Sequence, residues 1–424
     1  MADRLIGVGI AGYGLAGRVF HATLIAHTPG LALRAVFSRT AERRAQAAQE
    51  HPELTTHKDY AALLSDAGVD LVVVATPHHT HAEMVVRAAE AGKHVVVDKI
   101  MCLSVDEGQQ MIAAARRSGV LFSVFQNRRW DSDYLTVRRV LEQGLVGEPY
   151  VIESAVTSFG PSPGYRLPTS DRPRGWRSYA EFGGGPIRDW GAHLLDQAVQ
   201  LAGPAPQLVF ADFQYRRDWD VETAGTAWLR YGTTDDRRPT TRVASQGSRP
   251  ATGPRGGTPG PSGRDDGIPP AAGREPAGRG EGLRYVIEVG AISAIPKPRW
   301  LIRGAEGAYL QHGRDAQEAA LHRGEVGPRL MDPEYAPRLV RYEGGRLRDV
   351  EIEQVPGNYL AYYENVAAAL RKREPLAVEP ANVLHSIRLI EAAVRSAHSG
   401  QVVALDATDA VAGEALPPFG QGRG

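Results

Sequence analysis

The stretch that decides the fold is Leu5-Ile6-Gly7-Val8-Gly9-Ile10-Ala11-Gly12-Tyr13-Gly14-Leu15-Ala16-Gly17. Its apolar run breaks into glycines spaced G-x-G-x-x-G and resumes as a predicted helix at Arg18–Ala26. The first glycine permits a tight turn, the second lets the backbone approach a pyrophosphate, and the third lets helix and strand pack closely. The helix N-terminus adds unpaired N–H groups and a positive dipole end. This context favours a dinucleotide site over a purely structural turn, and the predicted contacts are Gly12, Tyr13, Gly14, Leu15, Ala16 and Gly17.

Short apolar runs alternate with helical patterns through the first part of the chain. Val69–Ala75 is rich in β-branched residues, which is typical of a strand buried on both faces. Ser104 and Glu107 have the spacing of a capping box. The alternation predicts an α/β protein with a Rossmann doubly wound parallel sheet, whose ligand lies outside the carboxyl ends of the strands. The other predicted strands are Leu33–Phe37, His94–Asp98 and Val120–Phe125, and the predicted helices are Thr40–Glu50, His79–Ala91 and Ser104–Ser118.

Length and charge narrow the class of protein. A chain of 424 residues is long enough for two or three domains with full hydrophobic cores. Its formal net charge of zero argues against a general nucleic-acid binder or a membrane-surface protein. Cys102 is the one cysteine, so an intramolecular disulfide is impossible. With no bilayer-spanning apolar stretch in the sequence, we expect a cytoplasmic protein without nucleic-acid or membrane partners.

The end of the second strand indicates which dinucleotide binds. NAD-preferring sites usually have an acidic residue there, which bonds the ribose 2′-hydroxyl. This chain has Ser38 and Arg39 instead, and both can contact a 2′-phosphate. The sequence therefore favours NADP, with NAD possible; the alternative is a solvated arginine at the start of a helix.

Three histidines follow the next predicted strand, in the stretch Thr76–His81. Their spacing fits no common zinc signature and no nearby carboxylate completes a site, so we assign no metal. We interpret the stretch as a loop at the edge of the cofactor site, with the contact residues Thr76, Pro77, His78 and His81.

Strand His94–Asp98 runs directly into Lys99, which places an ammonium at the carboxyl edge of the sheet. A lysine there can stabilise a developing alkoxide or lower the pKa of a substrate hydroxyl. From spacing alone, an ordinary exposed lysine at a strand end is equally consistent. Asp98 and Lys99 are both candidates for cofactor contact, and Lys99 also for substrate contact.

Two further groups of polar residues are candidates for the substrate site. Gln126, Asn127 and Arg128 follow the last predicted strand, and their amide and guanidinium groups suit a ligand rich in hydroxyls. The alternative is a turn at a domain boundary with solvated arginines. Asp189 and His193 are four residues apart on a predicted helix, where a carboxylate can orient an imidazole acting as general base. On spacing alone, such a pair is more often a surface contact.

The chain resembles the Gfo/Idh/MocA oxidoreductase family in the motifs Ala11–Gly14, Ala75–Pro77 and Asp98-Lys99. Asp98 and Ile100 depart from the family's Glu-Lys-Pro, whose proline often follows a cis bond, and His78 stands where asparagine is usual. The family places an Asp-x-x-x-His motif where Asp189 and His193 lie. The resemblance implies that Lys99, Asp189 and His193 are the catalytic residues, with Lys99, Gln126, Asn127, Arg128, Asp189 and His193 contacting substrate.

The stretch Gln126-Asn127-Arg128-Arg129-Trp130-Asp131, followed by Leu135–Glu148 and Pro149, is similar to the NADP-dependent scyllo-inositol dehydrogenase branch of that family. This branch acts on cyclic polyols and related sugars. The resemblance also implies a C-terminal α+β domain with a large open, mostly antiparallel sheet that mediates homodimer or homotetramer contacts.

The second domain is predicted from several alternating stretches. We place the cofactor domain at 1–127 and the substrate and oligomerisation domain at 128–410. Residues 232–282 are rich in Gly, Pro and Arg and poor in large apolar residues, which predicts a disordered insertion without a catalytic role. The loop at 159–176 is expected to border the substrate. The predicted strands are Val151–Ser158, Thr226–Tyr231, Leu283–Val289, Trp300–Arg303 and Ala308–Leu310, and the predicted helices are Asn358–Leu370, Asn382–Ala397 and one that starts at Pro186 and ends before Gly203.

These expectations lead to one main hypothesis and two alternatives. The main one is a nicotinamide-dependent dehydrogenase in which His193 takes a proton, Lys99 stabilises the alkoxide, and Asp189 orients His193 or holds a neighbouring hydroxyl. The departures at Asp98 and Ile100 motivate an alternative, an NADP(H)-binding sensor or impaired paralogue. A third possibility keeps the family but changes the chemistry, to imine or bilin reduction or redox-assisted glycoside cleavage.

Overall fold

A computed structural model describes residues 4–160, 175–216, 219–232 and 282–405. Residues 233–281 of the predicted insertion at 232–282, most of the loop at 159–176 and the end of the second domain at 410 therefore lie outside the described residues. The domain boundaries at 127 and 128 stay a prediction.

The N-terminal sheet has six parallel strands in the order β3-β2-β1-β4-β5-β6. This order reverses direction beside β1, so the crevice next to the glycine turn is the switch point where such sheets bind ligands. All four residues of β4 are fully buried, as its run of β-branched residues predicts. The strands are β1 Ile6–Ala11, β2 Leu31–Phe37, β3 Thr55–His57, β4 Leu71–Val74, β5 His94–Val97 and β6 Phe122–Val124.

Helices connect these strands, and two of their details bear on the predictions. Ser104 caps α5 as predicted, since the Glu107 N–H donates to Ser104 Oγ at 3.2 Å. The second half of the predicted capping box is shifted by one residue, because the Glu107 carboxylate accepts from the Leu103 N–H and not from that of Ser104. The first helix starts earlier than predicted, with a π-helical segment at Ala16–Ala22 that continues as α1. The helices of this part are α1 Thr23–His27, α2 Ala41–Glu50, α3 Tyr60–Ser65, α4 His81–Glu90, α5 Val105–Arg117 and α6 Ser132–Glu142.

The second sheet has nine strands in the order β14-β13-β12-β11-β7-β10-β9-β8-β15. Only the β7–β10 pair among them is parallel, so the expectation of a large, mostly antiparallel sheet is confirmed. The strands are β7 Pro149–Thr157, β8 Leu208–Tyr215, β9 Glu222–Arg230, β10 Arg284–Gly290, β11 Trp300–Gly304, β12 Gly307–Gln311, β13 Arg338–Glu343, β14 Arg346–Val350 and β15 Val403–Ala404.

Helices of the second part cover one face of that sheet and reach back to the first. Pro186 begins a short helix at its first position and Gly203 ends the next, both as predicted. Buried Arg129, in the turn after β6, forms two 2.7 Å hydrogen bonds with the carboxylate of buried Asp196. This bidentate pair fixes the end of the parallel sheet to the helix that carries His193. The helices are α7 Pro186–Asp189, α8 Gly191–Ala202, α9 Gln317–His322, α10 Leu360–Leu370 and α11 Pro380–Ser399.

Candidate active site

The surroundings of the three glycines in the opening turn explain in different ways why glycine stands at each position. Gly12 has φ +101°, and a Cβ there would lie 2.4 Å from the Ala75 carbonyl oxygen. A Cβ on Gly17 would lie 1.9 Å from the Gly12 carbonyl oxygen. At Gly14 the one nearby group is the tip of the Arg43 side chain, 2.7 Å away. The fold's own packing therefore requires Gly12 and Gly17, whereas the bare backbone at Gly14 leaves room for a ligand such as a pyrophosphate.

Tyr13 holds this turn against α2. Its ring is buried, and its hydroxyl donates to Glu50 at 2.7 Å, at the end of α2. Burial and the neighbouring Glu50 carboxylate raise the pKa of Tyr13. Arg18, in the helix after the turn, also reaches Glu50 at 3.3 Å. The turn and α2 are thus one connected unit, while Leu15 at its tip is half exposed.

The end of β2 presents a cationic surface beside the turn. Ser38 is buried, and its Oγ accepts from the Thr40 N–H at 3.3 Å. Arg39 is exposed at the strand end. Arg44 donates to the carbonyl oxygens of Ser38 and Arg39 at 2.6 and 2.9 Å, and so fixes this bend. Arg43 leans over Gly14.

The sequence analysis missed Arg43 and Arg44, although a signal was present. Both lie in the first turn of a helix that starts just after Ser38 and Arg39, and such a turn faces the same crevice. The exposed Arg43 adds a second guanidinium to the region where a 2′-phosphate would lie.

His78 and His81, both predicted to contact the cofactor, are buried and bonded to the protein backbone. The ring nitrogens of His81 lie 2.7 Å from the Ile100 carbonyl oxygen and 2.9 Å from that of Thr76. His81 therefore joins the loop after β4 to the loop after β5. His78 Nδ1 lies 2.8 Å from the Gly183 carbonyl oxygen, and burial lowers its pKa well below the usual value.

Lys99 lies between the two sheets. Its ammonium donates to the Asp189 carboxylate and, at 2.9 Å, to the Asp189 carbonyl oxygen. The other carboxylate oxygen of Asp189 lies 3.5 Å from Arg177 Nε. Burial alone would raise the pKa of Asp189, but the charges of Lys99 and Arg177 lower it well below its usual range. The bond between Lys99 and Ile100 is cis, the isomer that the family often has before proline at this position.

Asp98 is buried behind this lysine. His21 Nε2 lies 3.7 Å from its carboxylate, and His21 Nδ1 lies 2.6 Å from the Tyr363 hydroxyl. Burial would raise the pKa of Asp98, but the adjacent His21 ring and the Lys99 ammonium lower it to about 2. The shorter acidic residue at this position is therefore a buried carboxylate that faces the protein interior.

His193 contacts Gln126 rather than Asp189. Its Nδ1 lies 3.0 Å from Gln126 Oε1, and both side chains are buried. The helix that was predicted to carry Asp189 and His193 is divided at Trp190, and the Asp189 carboxylate turns toward Lys99. Burial, together with the charges of Lys99 and Arg128, lowers the pKa of His193 well below 6.5. The ring is therefore a neutral imidazole at neutral pH.

Of the polar residues that follow β6, some are paired within the protein and one is open to a ligand. Arg128 is buried, and its guanidinium donates to Glu318 at 2.5 Å and to the Tyr359 hydroxyl at 3.1 Å. It also stacks 4.1 Å from the Trp190 ring centroid. Arg128 and Arg129 are thus buried and paired, which excludes the alternative of solvated arginines. The amide of Asn127 makes no hydrogen bond with any described residue, so it is the member of this group whose polar atoms are open to a ligand.

A buried carboxylate supports the helix that carries Asp189. Glu222 Oε1 accepts from the Ile187 N–H at 2.8 Å, in the first turn of α7. Gly185 has φ +99°, and a Cβ there would lie 2.4 Å from the Glu222 carboxylate oxygens. Burial raises the pKa of Glu222 to about 7. The sequence analysis missed this residue because nothing local distinguishes it from other strand residues.

No group of three or more His, Cys, Asp and Glu side chains is arranged to hold a metal ion in the described ranges. Within the same ranges, no helix is both long and apolar enough to cross a bilayer.

Fold and site together define a class of protein. A six-stranded Rossmann sheet with a glycine turn open to a dinucleotide places Lys99, Asp189 and His193 at its carboxyl edge, against a second sheet domain. This is the organisation of an NAD(P)-dependent dehydrogenase.

Comparisons with known proteins give the family. The family model described as an oxidoreductase family with an NAD-binding Rossmann fold matches residues 6–126. Two C-terminal domain models of the same family match residues 134–241 and 287–405. The chain belongs to the Gfo/Idh/MocA oxidoreductase family, as its motifs predicted.

Individual relatives span nearly the whole chain. The uncharacterized oxidoreductase YdgJ of Escherichia coli (strain K12) is 32% identical over 400 residues, 94% of this chain and 97% of its own length. The scyllo-inositol 2-dehydrogenase (NADP(+)) IolW of Bacillus subtilis (strain 168) is 28% identical, over 95% of this chain and 96% of its own. The solved structure of yvaA from Bacillus subtilis has a TM-score of 0.76 at 26% identity, covering 96% of this chain and all of that one.

The raised pKa of Glu222 makes a prediction about stability. Its ordinary pKa is 4.5 and its native pKa is about 7, so between these values the native state binds more protons than the unfolded state. The contribution of protonated Glu222 to native-state stability is complete below the pKa of this residue in the unfolded chain. It is lost as pH rises through the pKa of Glu222 in the native state. We expect Glu222→Gln to gain stability relative to wild type by up to about 3 kcal/mol between about pH 4 and about pH 8.

Urea unfolding across that pH range measures this difference. Glu90→Gln, at an exposed position at the end of α4, is the matched control and should track wild type at every pH. A difference between Glu222→Gln and wild type that does not change with pH would contradict the assignment.

Proposed function

We propose that this dehydrogenase transfers a hydride between nicotinamide and a secondary alcohol of a cyclic polyol or sugar-like substrate of the inositol type. The observation that carries the proposal is the Lys99–Asp189 ion pair beside a neutral, buried His193 at the carboxyl edge of the parallel sheet. Two relatives are named for such reactions, the scyllo-inositol dehydrogenase IolW and a myo-inositol 2-dehydrogenase of Thermotoga maritima that is 28% identical over 218 residues.

The residues that would hold the cofactor are those around the glycine turn. The bare backbone at Gly14 and the helix N-terminus after it suit a pyrophosphate. Ser38, Arg39 and Arg43 would surround a ribose 2′-phosphate, which favours NADP over NAD. A bound nicotinamide supplies the hydride acceptor or donor in such a site.

The chain's own residues would handle the proton and the charge. His193 is neutral, so it can accept the proton of a substrate hydroxyl. The Lys99 ammonium would stabilise the alkoxide that develops, because it is held in a largely water-excluded site. Asp189 keeps that ammonium in place through two hydrogen bonds and leaves one lysine proton for the substrate oxygen. The open amide of Asn127 suits a neighbouring hydroxyl.

Substitution of either central residue should reduce turnover. We expect Lys99→Met and His193→Gln each to lower kcat by roughly 10²-fold or more, through loss of charge stabilisation and of the general base respectively. The measurement is NADPH absorbance across a panel of inositols and sugars. Lys372→Met is the control and should retain full activity, because Lys372 is exposed and follows Arg371, which contacts Gly30 at the opposite edge of the parallel sheet.

Unchanged turnover in both variants would show that the assigned roles are wrong. The same panel also separates the enzyme from an NADP(H)-binding sensor, because a sensor would change NADPH fluorescence on binding and turn over none of the compounds.

Cofactor preference should depend on the two exposed arginines. Arg39→Ala and Arg43→Ala should each raise the KM for NADP by about tenfold, because each removes a charge-assisted contact, while the KM for NAD changes little. Steady-state kinetics with both cofactors measures the ratio. Equal losses for NAD and NADP would mean that these arginines do not contact a 2′-phosphate.

We further propose that copies of the chain associate through the face of the second sheet opposite its helices. Register pairs Phe210 with Trp228 on this face, and Phe210 remains 36% exposed. Leu301 and Leu310 form a second apolar pair, which the charged Glu153 separates from the first along the same row. Partly exposed apolar pairs of this kind are typical of an oligomer interface. Light scattering should give the mass of a dimer or tetramer, and Phe210→Glu should lower it; a wild-type monomer would refute the proposal.

A further inference from the structure

The contact between Gln126 and His193 determines which ring nitrogen carries the proton. The Gln126 amide oxygen faces His193 Nδ1 at 3.0 Å, and the two residues are 2% and 4% exposed. An amide oxygen only accepts hydrogen bonds. Nδ1 must therefore be the protonated nitrogen, and Nε2 carries the lone pair.

The remaining contacts of the ring leave Nε2 available. No described residue forms a hydrogen bond with Nε2, so its lone pair has no donor within the described part of the chain. Asp189, the residue four positions away, contacts Lys99 with one carboxylate oxygen and Arg177 with the other. It therefore does not orient the ring through a hydrogen bond.

We propose that Gln126 is the positioning residue of this active site, which fixes His193 as the Nδ1–H tautomer and so presents Nε2 as the base toward a substrate hydroxyl. This assignment deepens the proposed function and rests on it. It replaces the acid of a usual acid–imidazole pair with a neutral amide, which orients the ring without stabilising the imidazolium.

The charges around His193 explain why a neutral partner suits this site. Lys99 from the loop after β5, Arg128 from the turn after β6 and Arg299 just before β11 all disfavour protonation of the ring, while Asp189 from α7 favours it. Because burial disfavours the charged ring and the cations outnumber the one carboxylate, the pKa of His193 lies well below its usual value and the imidazole stays unprotonated at neutral pH. The hydrogen-bond partner of the ring then determines which of the two neutral tautomers is populated. An acceptor facing Nδ1 stabilises the Nδ1–H tautomer.

The tautomer can be measured without any substrate. In protein labelled with ¹⁵N-histidine, protonated and unprotonated ring nitrogens have distinct chemical shifts, and His193→Gln identifies the signals of this ring. We expect protonated Nδ1 and unprotonated Nε2 at neutral pH. Protonated Nε2 in the wild-type protein would overturn the proposal.

Two variants at position 126 separate positioning from simple packing. Gln126→Leu removes the acceptor, so the Nε2–H tautomer becomes populated and kcat should fall by about tenfold, the equivalent of one hydrogen bond. Gln126→Glu keeps the acceptor but adds a negative charge beside Nδ1–H. It should raise the pKa of His193 and move the rising limb of the kcat/KM profile for alcohol oxidation about one pH unit or more upward.

The assignment is supported if the activity of Gln126→Glu recovers at high pH while the activity of Gln126→Leu stays reduced. Equal losses at every pH in both variants would show that Gln126 acts only through packing. If the nitrogen shifts are as expected and no alcohol is oxidised, the proposed function fails while the tautomer assignment stands.

Discussion

The ion pair between Lys99 and Asp189 is the interaction on which the arrangement of the site depends. Lys99 lies two residues after strand β5 of the parallel sheet, and Asp189 ends a short helix packed on the second sheet. Neither charge would be stable alone in this buried position, because desolvation of an unpaired charge is expensive. The pair therefore fixes where the two parts of the chain meet, and the proposed catalytic residues lie at that junction.

The ion pair of Asp189 with Lys99 also determines the hydrogen-bond partner of His193. The carboxylate that the spacing of the sequence offers to His193 is already used, so the imidazole takes its partner from the turn after β6. The turn after β6 is itself fixed by two ion pairs with the second part of the chain, Arg128 with Glu318 and Arg129 with Asp196. Buried charge pairs contribute little net stability compared with apolar packing, but they define geometry strictly. Here their value is in placing an amide oxygen within hydrogen-bond distance of one ring nitrogen.

Sequence patterns predicted the parallel sheet and the glycine turn well, because burial on both faces requires apolar runs and the turn requires glycine. The family resemblance, and not spacing alone, brought Lys99, Asp189 and His193 together as one predicted site. Neither the patterns nor the resemblance predicted how these residues pair, since partner choice depends on where a helix is divided at Trp190 and on residues distant in sequence. Glu222 was missed for the same reason, as a strand glutamate carries no local signal of what lies opposite it. Arg43 did carry a signal, because it lies in the first turn of the helix that follows Ser38 and Arg39. Short strands such as β3 and β15 gave too little periodicity to be recognised.

The glycine turn is anchored by buried residues, whereas the arginines beside it are exposed, and this difference has an evolutionary consequence. Tyr13 and Glu50 anchor the turn from within the core, whereas Arg39 and Arg43 are exposed and make few contacts with the protein itself. Substitutions at exposed positions of this kind usually change stability by less than about 0.5 kcal/mol. With the cofactor bound as proposed, selection can therefore change the choice between phosphorylated and unphosphorylated cofactor in a few steps on the surface, while the buried residues of the site remain unaltered.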